Sequence, residues 1–217
     1  MPRSPDFARA QLISAGERLF AERGIDNVSL REISRESGSR NVVALQHHFT
    51  DRGGLLQAIL EKHHARLESH LDELLDAYEA SAEPNLRALA AALVEPFAAC
   101  LDDEGGRHYL RIFADLINRP RLDIWPHHAD DQPDILQRWR ALADPYLSPA
   151  QRRLHRRFAA VLYAVTELAR WSRATEPYDS RVISNSVTDL VSAMLSAEVS
   201  ASTRASLRST SSTHHTR

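Results

Sequence analysis

The stretch SGSRNVVALQHHFTDRGGLL, residues 37–56, decides how the rest of the chain is interpreted. Within it, VVALQHH predicts a short helix that begins after Asn41, whose side chain can cap the free N–H groups of the first turn. Gly38 ends the preceding helix just before this point. The polar segment TDRGG then opens a much longer helix, with Thr50 or Asp51 as its cap. Two helices separated by so short a turn predict a helix-turn-helix, although any αα-hairpin would share the pattern.

Two predicted helices upstream complete a three-helix unit. The first spans residues 6–23, carries an apolar stripe at helical spacing and ends at Gly24. The second is short and begins with Ser29 and Glu32, which have the S-x-x-E spacing of a capping box. Three short helices with this turn chemistry at the start of a chain favour DNA binding, because a helix-turn-helix places its last helix in the major groove.

The remaining residues also favour helix. Only seven glycines occur among 217 residues, and clusters of β-branched and aromatic residues are scarce, so we predict an all-α protein. Residues 119–133 contain three prolines and predict a loop, and residues 201–217 are rich in Ser, Thr and Arg and predict a disordered tail. The helices predicted after the helix-turn-helix span residues 52–80, 85–102, 108–118, 134–143, 149–174 and 178–200.

Composition argues against several other classes of protein. No run approaches the roughly 18 apolar residues that a membrane-spanning helix needs, and Asp6 and Glu17 do not suit a signal peptide. We therefore expect a cytoplasmic protein with no membrane partner. The single cysteine, Cys100, cannot form an internal disulfide, and its apolar neighbours favour a buried side chain.

The eleven histidines do not predict a metal site. His63 and His70 share a helix face, but neither H-E-x-x-H nor a Cys/His spacing accompanies them. No Ser/His/Asp arrangement or glycine-rich phosphate loop stands in a convincing context. We therefore expect no catalytic residues, no metal and no cofactor, and the protein is not predicted to be an enzyme.

Residues 9–60 resemble the DNA-binding domain of TetR-family transcriptional regulators. That family has a first helix ending in LF-x-E-x-G, a Ser/Thr-capped second helix with IA-x-x-AG, and a short helix closing in HF-x-x-K-x-x-L. Here the turn after Gly38 is one residue longer than usual, and Gln46 stands where an aromatic residue is common. The positions that carry the resemblance are Leu19, Phe20, Glu22, Gly24, Ser29, Ile33, Ser34, Gly38, His48, Phe49, Arg52 and Leu55.

Side-chain chemistry suggests which residues contact DNA. The amide of Gln46 suits a bidentate contact to adenine, and the apolar Val42, Val43 and Ala44 can meet thymine methyl groups, at about 1–3 kcal/mol of discrimination for each good contact. Asn41 begins the recognition helix. Contacts to phosphates fix the register of the protein on DNA without reading sequence, and the candidates for them are Ser29, Arg31, Arg40, His47, His48 and Arg52.

The resemblance implies a homodimer whose last two long helices form a four-helix bundle with those of the partner. The two recognition helices would then lie about 34–36 Å apart, or a multiple of that distance, and would require a palindromic operator. The same apolar faces could instead fill the core of their own protomer, and we expect both uses. The candidate interface residues are Phe158, Leu162, Val187, Val191, Met194 and Leu195.

The resemblance also places an effector pocket among the middle helices, over residues 85–175. Aromatic side chains could line a largely apolar cavity there, with Glu167 or Thr166 as a polar group. Core packing is the alternative for each of them. The candidate ligand-binding residues are Phe97, Tyr109, Phe113, Trp125, Trp139, Tyr163, Glu167 and Trp171.

These observations favour a ligand-responsive transcriptional regulator, a repressor that a small apolar or amphipathic effector releases from double-stranded operator DNA. We expect a DNA-binding domain at 1–52, a helical ligand-binding and dimerisation domain at 53–200, and the tail at 201–217. An alternative is a small-molecule-binding helical protein whose helix-turn-helix does not serve sequence-specific DNA binding, which the formal net charge of only -2 would suit. A helical enzyme rests on the scattered histidines alone.

Overall fold

The computed structural model describes residues 5–38, 49–119 and 136–213, and every regular element within these ranges is helical. The all-α prediction is confirmed. Three 3-10 turns, η1 (Ile25–Asn27), η2 (Ala99–Asp102) and η3 (Asp144–Tyr146), connect α-helices. The α-helices of the described ranges are α1 (Pro5–Arg23), α2 (Leu30–Glu36), α3 (Arg52–Ala80), α4 (Leu86–Ala98), α5 (Glu104–Ile117), α6 (Gln137–Ala143), α7 (Pro149–Arg153), α8 (Arg156–Trp171), α9 (Ser180–Ser196) and α10 (Ala201–Thr213).

The ends of the first helices follow the capping residues that the sequence predicts. Gly24 has a φ of 84° and closes α1 through its N–H to the carbonyl of Phe20 at 2.9 Å. Ser29 and Glu32 form the predicted capping box at the start of α2. Gly38, with a φ of 71°, follows α2. A left-handed backbone favours glycine at both positions, because any Cβ would be strained there.

Helix α3 is the longest element and carries a continuous buried face. Asp51 caps it by accepting a hydrogen bond from the N–H of Gly54 at 2.9 Å, so the predicted cap is confirmed. α1 crosses α3 closely at Gly16, where a Cβ would lie 2.9 Å from Cδ2 of Leu55. A larger residue at this position of α1 would therefore force the Leu55 side chain to move, and the glycine lets the two helices pack closely.

Helix α4 is the most central element of the described part of the chain. It packs against α3, α6, α8 and α9, while α5 packs against α1 and α8. Leu89, Leu93 and Val94 of α4 are fully buried. Trp139 of α6 is also fully buried and donates its indole N–H to the carbonyl of Leu89 at 2.8 Å. The core is thus one contiguous cluster that runs from α1 to α9.

Two predicted helix boundaries are wrong. Gly105 and Gly106 fall between the helices predicted over residues 85–102 and 108–118, but they lie in the first turn of α5, because Asp103 accepts the N–H of Gly106 at 2.7 Å and caps the helix ahead of them. The helix predicted over residues 149–174 is broken into α7 and α8 at His155, whose φ is 52°. The break allows the buried Gln151 of α7 to donate to two carbonyls at the end of α9.

The C-terminal segment also differs from its prediction. Residues 201–213 form α10, where the sequence predicts a disordered tail. Ser200 accepts the N–H of Thr203 at 3.2 Å and so caps the helix locally. Arg153 donates to the carbonyl of Leu207 at 3.2 Å and ties the helix to α7. The loop predicted at 119–133 lies outside the described residues from Pro120 onwards.

Replacing each of two neighbouring glycines with alanine should have different consequences. At Gly106 a Cβ would lie 2.8 Å from the Cα of Cys100, so Gly106→Ala should lower the free energy of unfolding by about 2 kcal/mol. At Gly105 the nearest atom would be Oδ1 of Asp103 at 3.4 Å, and Gly105→Ala should be neutral or slightly stabilising because alanine favours helix. Urea unfolding of the full-length variants measures both effects. Equal stability of the two would contradict the packing of α5 on η2.

Candidate nucleic-acid interface

The described residues include only part of the predicted DNA-contacting set. Ser29, Arg31 and Arg52 lie on the helices that flank the turn, at the start of α2 and of α3. The recognition helix and the longer turn predicted before it lie outside the described residues, and their roles remain predictions. The contact residues in that segment are Arg40, Asn41, Val42, Val43, Ala44, Gln46, His47 and His48.

At the start of α2, Ser29 and Arg31 differ in the contacts that their side chains make within the protein. The hydroxyl of Ser29 donates to Oε2 of Glu32 at 2.7 Å and accepts from the N–H of Glu32 at 3.3 Å. Hydrogen bonds from the backbone and side chain of Ser29 outweigh desolvation and lower the pKa of Glu32. Arg31 is exposed and makes no ion pair within the described ranges. Ser29 therefore defines the helix, whereas Arg31 is available to an outside anion.

Arg52 shares a carboxylate with an arginine from the helical domain. Its Nη1 lies 3.9 Å from Oδ1 of Asp26, in the 3-10 turn between α1 and α2. Arg119, after the end of α5, binds Oδ2 of the same Asp26 at 2.9 Å and Asp115 at 2.8 Å. These ion pairs raise the pKa of Arg119 despite the cost of its partial burial. Asp26 therefore joins the predicted DNA-binding surface to α5, a link that the sequence did not indicate.

A buried carboxylate joins α1 to α3. The side chain of Glu17 is 3% exposed, and its two oxygens bind Nζ of Lys62, at 2.5 Å, and Nε2 of His63. Burial alone would raise the pKa of Glu17, but the hydrogen bonds and charges of His63 and Lys62 outweigh it and lower the pKa. We call these three residues the Glu17 junction. One signal could have suggested it, since Lys62 is the only lysine in the sequence.

From the Glu17 junction a row of rings leads into the core. The His63 ring lies against Tyr109 of α5, with centroids 4.8 Å apart. Tyr109 stacks on Phe113 at 5.5 Å, and Phe113 stacks on Phe97 of α4 at 5.7 Å. Three of the predicted ligand-binding residues are thus brought together, and Tyr109 among them contacts His63, which binds Glu17 of α1.

Two polar atoms beside these rings have no hydrogen-bond partner in the described part of the chain. They are the hydroxyl of Tyr109, which is fully buried, and Nε2 of His64, whose ring lies edge-on to Tyr109 at 6.2 Å. Burial raises the pKa of Tyr109 and lowers that of His64, so both groups are neutral at pH 7. An unsatisfied buried polar group costs about 1–3 kcal/mol, so this region favours a ligand or water that supplies the missing partners.

The other predicted ligand-binding residues lie apart from this row. Trp139 is held by α4, and Trp125 lies outside the described residues. Glu167 of α8 accepts the indole N–H of Trp171 at 3.1 Å and is paired with Arg170, whose hydrogen bond is the main reason that the pKa of Glu167 is lowered. Tyr163 is half-buried on the same helix.

The predicted dimerisation residues divide into two groups. Val187, Val191 and Leu195 are buried within their own protomer, which is the core use that the sequence left open. Phe158 is 54% exposed, whereas Leu162 and Met194 are half-buried. Three other apolar side chains near the same helices are exposed although they are not among the candidate interface residues, namely Leu154, Val182 and Leu190.

Other kinds of site find little support in the described ranges. No cluster of three or more His, Cys, Asp or Glu side chains there could hold a metal ion. None of the helices in those ranges is long and apolar enough to cross a membrane. Burial raises the pKa of the Cys100 thiol to about 11, so the thiol is protonated and unreactive at neutral pH.

Comparisons with known proteins agree with the fold. Residues 12–59 match the family described as "Bacterial regulatory proteins, tetR family". NalD, the secondary repressor of the MexAB-OprM multidrug efflux pump in Pseudomonas aeruginosa, is 24% identical over 85% of this chain and 94% of its own, with a TM-score of 0.55. Mycobacterium smegmatis AmtR is 21% identical over 95% of this chain and 98% of its own, with a TM-score of 0.57. A comparison with curated proteins gave no significant match.

The fold and the family match define an all-α regulator with an N-terminal helix-turn-helix DNA-binding domain ahead of a C-terminal helical domain. The match to the tetR family of bacterial regulatory proteins covers residues 12–59. The resemblance noted in the sequence is confirmed, and with it the prediction of a DNA-binding transcription regulator.

Removing the carboxylate of Glu17 should weaken the protein more than removing an exposed carboxylate of the same helix. Glu17→Ala removes the partner of the buried His63 and of the partly exposed Lys62 and should lower the free energy of unfolding by about 2–3 kcal/mol. The control is Glu22→Ala, which removes only an exposed ion pair with Arg18 and should cost less than about 1 kcal/mol. Equal losses in urea unfolding would contradict the role of the junction.

The contribution of the Glu17 carboxylate to the free energy of unfolding should depend on pH in one direction. Because the pKa of Glu17 is lowered in the folded protein, its charge stabilises the fold fully above the ordinary pKa of 4.5, and this contribution is lost as the pH falls through the lowered value. The stability gap between the wild-type protein and Glu17→Gln should therefore narrow in acid. A gap that widens on acidification, measured by urea unfolding at several pH values, would contradict the assignment.

Proposed function

We propose that the protein is a homodimeric transcriptional regulator, acting as a repressor, that binds a palindromic operator and releases it when a small effector binds. The observation that carries the proposal is the match of residues 12–59 to the tetR family. The arrangement of α1, α2 and the start of α3 supports it, because Gly38 and Asp51 end and begin helices on either side of the predicted recognition helix.

The DNA contacts divide into phosphate binding and base reading. Arg31 is exposed and without an ion pair in the described ranges, so it can bind a phosphate at no cost in broken contacts. Arg52 lies at a long 3.9 Å from Asp26 and can exchange that carboxylate for a phosphate, because Arg119 remains to neutralise Asp26. Gln46 remains the proposed reader of adenine, supported by Val42, Val43 and Ala44. The remaining phosphate candidates are Arg40, His47 and His48.

The proposed dimer forms through α8 and α9. The two helices pack antiparallel, since Arg156 near the start of α8 donates to the carbonyl of Met194 near the end of α9. Phe158, Leu190 and Val182 leave large apolar side chains exposed on these helices. A second copy would cover them and form a four-helix bundle. The interface would not include the side chains of Val187, Val191 and Leu195, because they are buried in the core of their own protomer.

The effector is proposed to act through the row of rings beside the Glu17 junction. A small amphipathic molecule with one polar group could satisfy the hydroxyl of Tyr109 or Nε2 of His64 while contacting Phe97 and Phe113. Binding there would press on His63, and through it on the pairing that holds α1 to α3. The effector would thereby favour a state in which the two recognition helices no longer match the operator.

Two arginine-to-alanine variants and one glutamine variant test the DNA-binding proposal. Arg31→Ala should weaken binding to all DNA sequences and reduce the dependence of affinity on salt, because it removes a phosphate contact. Gln46→Ala should cost about 1–3 kcal/mol on the preferred sequence and little on others. The control is Arg204→Ala, an exposed arginine on α10, which should change neither. Fluorescence anisotropy on selected and random duplexes measures these effects.

One outcome would favour the alternative of a small-molecule-binding protein. If the wild-type protein shows no salt-sensitive preference for any duplex, or if Arg31→Ala and Gln46→Ala behave as the control does, the helix-turn-helix does not serve sequence-specific binding.

A charge placed on the proposed interface should separate the protomers. Phe158→Arg should convert a dimer to monomers at micromolar concentration, because a stable dimer interface excludes an unpaired charge from its core. The matched control is Ala82→Arg, which adds the same charge at an exposed site between α3 and α4. Sedimentation velocity gives the mass of each. A wild-type monomer, or a Phe158→Arg dimer as stable as the control, would contradict the interface.

A further inference from the structure

A groove of about 380 Å³ lies on the surface where the DNA-binding helices meet the helical domain. One wall is α1, with Ser14 and Arg18, and the end of α2, with Glu36. The other wall is the N-terminal part of α5, with Glu104 and His108. A molecule in this groove would contact both domains.

His108 is the first sign that the groove accommodates a ligand. Its side chain lines the groove, is only 9% exposed, and has no hydrogen-bond partner within residues 5–38, 49–119 and 136–213. Burial lowers its pKa, and the charge of Arg111 lowers it further, while Glu104, Glu17 and Glu22 oppose the shift. The ring is therefore neutral at pH 7 and offers one acceptor nitrogen and one N–H.

The charged side chains around the groove indicate which charge a ligand would carry. Three carboxylates line it, from Glu17, Glu36 and Glu104, against the single guanidinium of Arg18. Glu17 is neutralised by Lys62 and His63, and Glu36 is paired with Arg18. Glu104 makes no ion pair in the described part of the chain. Among the carboxylates that line the groove, Glu104 therefore lacks an ion-pair partner in the described ranges, and it lies beside a neutral hydrogen-bond acceptor.

An anion would not bind in this groove, although the N-terminus of a helix ordinarily attracts one. Asp103 already accepts the N–H of Gly106 at 2.7 Å and occupies the anion position at the start of α5. A further anion would lie next to Glu104 and Glu36. A metal ion is also a poor fit, because no group of three or more ligating side chains suits one in the described ranges.

We propose that this groove binds a small organic amine, with Glu104 pairing with the ammonium group and His108 accepting one of its N–H hydrogen bonds. A second amine or hydroxyl of the ligand would reach Ser14 or Glu36 on the facing helices. The volume falls within the range of about 300–1,000 Å³ that is usual for small-ligand pockets.

Such a ligand would clamp α5 to α1 and α2. If the protein regulates transcription as proposed and occupancy of the groove changes its affinity for DNA, then DNA must change the affinity for the ligand by the same factor. The binding itself does not depend on that proposed function. A diamine that binds to a protein without DNA-binding activity would leave the groove established and the regulatory proposal refuted.

Isothermal titration of the full-length protein with 1,4-diaminobutane tests the site, and 1,4-butanediol is the neutral probe of the same length. We expect saturable binding of one diamine per chain and no binding of the diol. Glu104→Gln should weaken diamine binding at least tenfold while keeping the fold, since Glu104 is exposed. His108→Phe should weaken it similarly. The control is Glu83→Gln, an exposed carboxylate between α3 and α4, which should bind as the wild-type protein does.

The opposite results would overturn the proposal. Absence of diamine binding, equal binding of the diol, or equal weakening by Glu83→Gln and Glu104→Gln would each show that the groove has no selective amine site. If the His108→Phe variant fails to fold, the Glu104→Gln variant still tests the site, and the proposal can still be refuted.

Discussion

A buried carboxylate holds the DNA-binding helices to the rest of the protein. A charge in the interior costs several kcal/mol unless it is paired and hydrogen-bonded, at roughly the scale of the whole stability of a domain. Glu17 meets this requirement only where Lys62 and His63 of α3 reach it. The position of α1 is therefore set by the long helix and, through the contact of His63 with Tyr109, by the core of the helical domain.

The features that the sequence predicted correctly are those that depend on a few neighbouring residues. A capping box needs only Ser29 and Glu32, three positions apart, and the cap of α3 needs only Asp51 and the N–H of Gly54. A glycine with a left-handed backbone, as at Gly24, is likewise a local requirement. The family match depends on the same positions, which explains why the fold class and the N-terminal domain could be predicted together.

The features that the sequence could not predict depend on partners far along the chain. Glu17 lies 45 and 46 residues from the two side chains that neutralise it. The break before α8 accompanies the hydrogen bonds of Gln151 to the end of α9, 44 and 46 residues away. An apolar stripe on α9 likewise does not say which partner covers it. Val187 is buried in its own protomer, whereas Leu190, three positions on, is exposed.

The coupling between the Glu17 junction and DNA binding is tested most directly by comparing a palindromic site with its single half-site. The sites would be selected from random DNA with the wild-type protein, and both would be measured with the wild-type protein and with Glu17→Gln. We expect Glu17→Gln to keep the half-site affinity and to lose much of the advantage of the palindrome, because only the palindrome requires two correctly placed recognition helices. An unchanged ratio of the two affinities would contradict the proposal that this junction positions the DNA-binding helices.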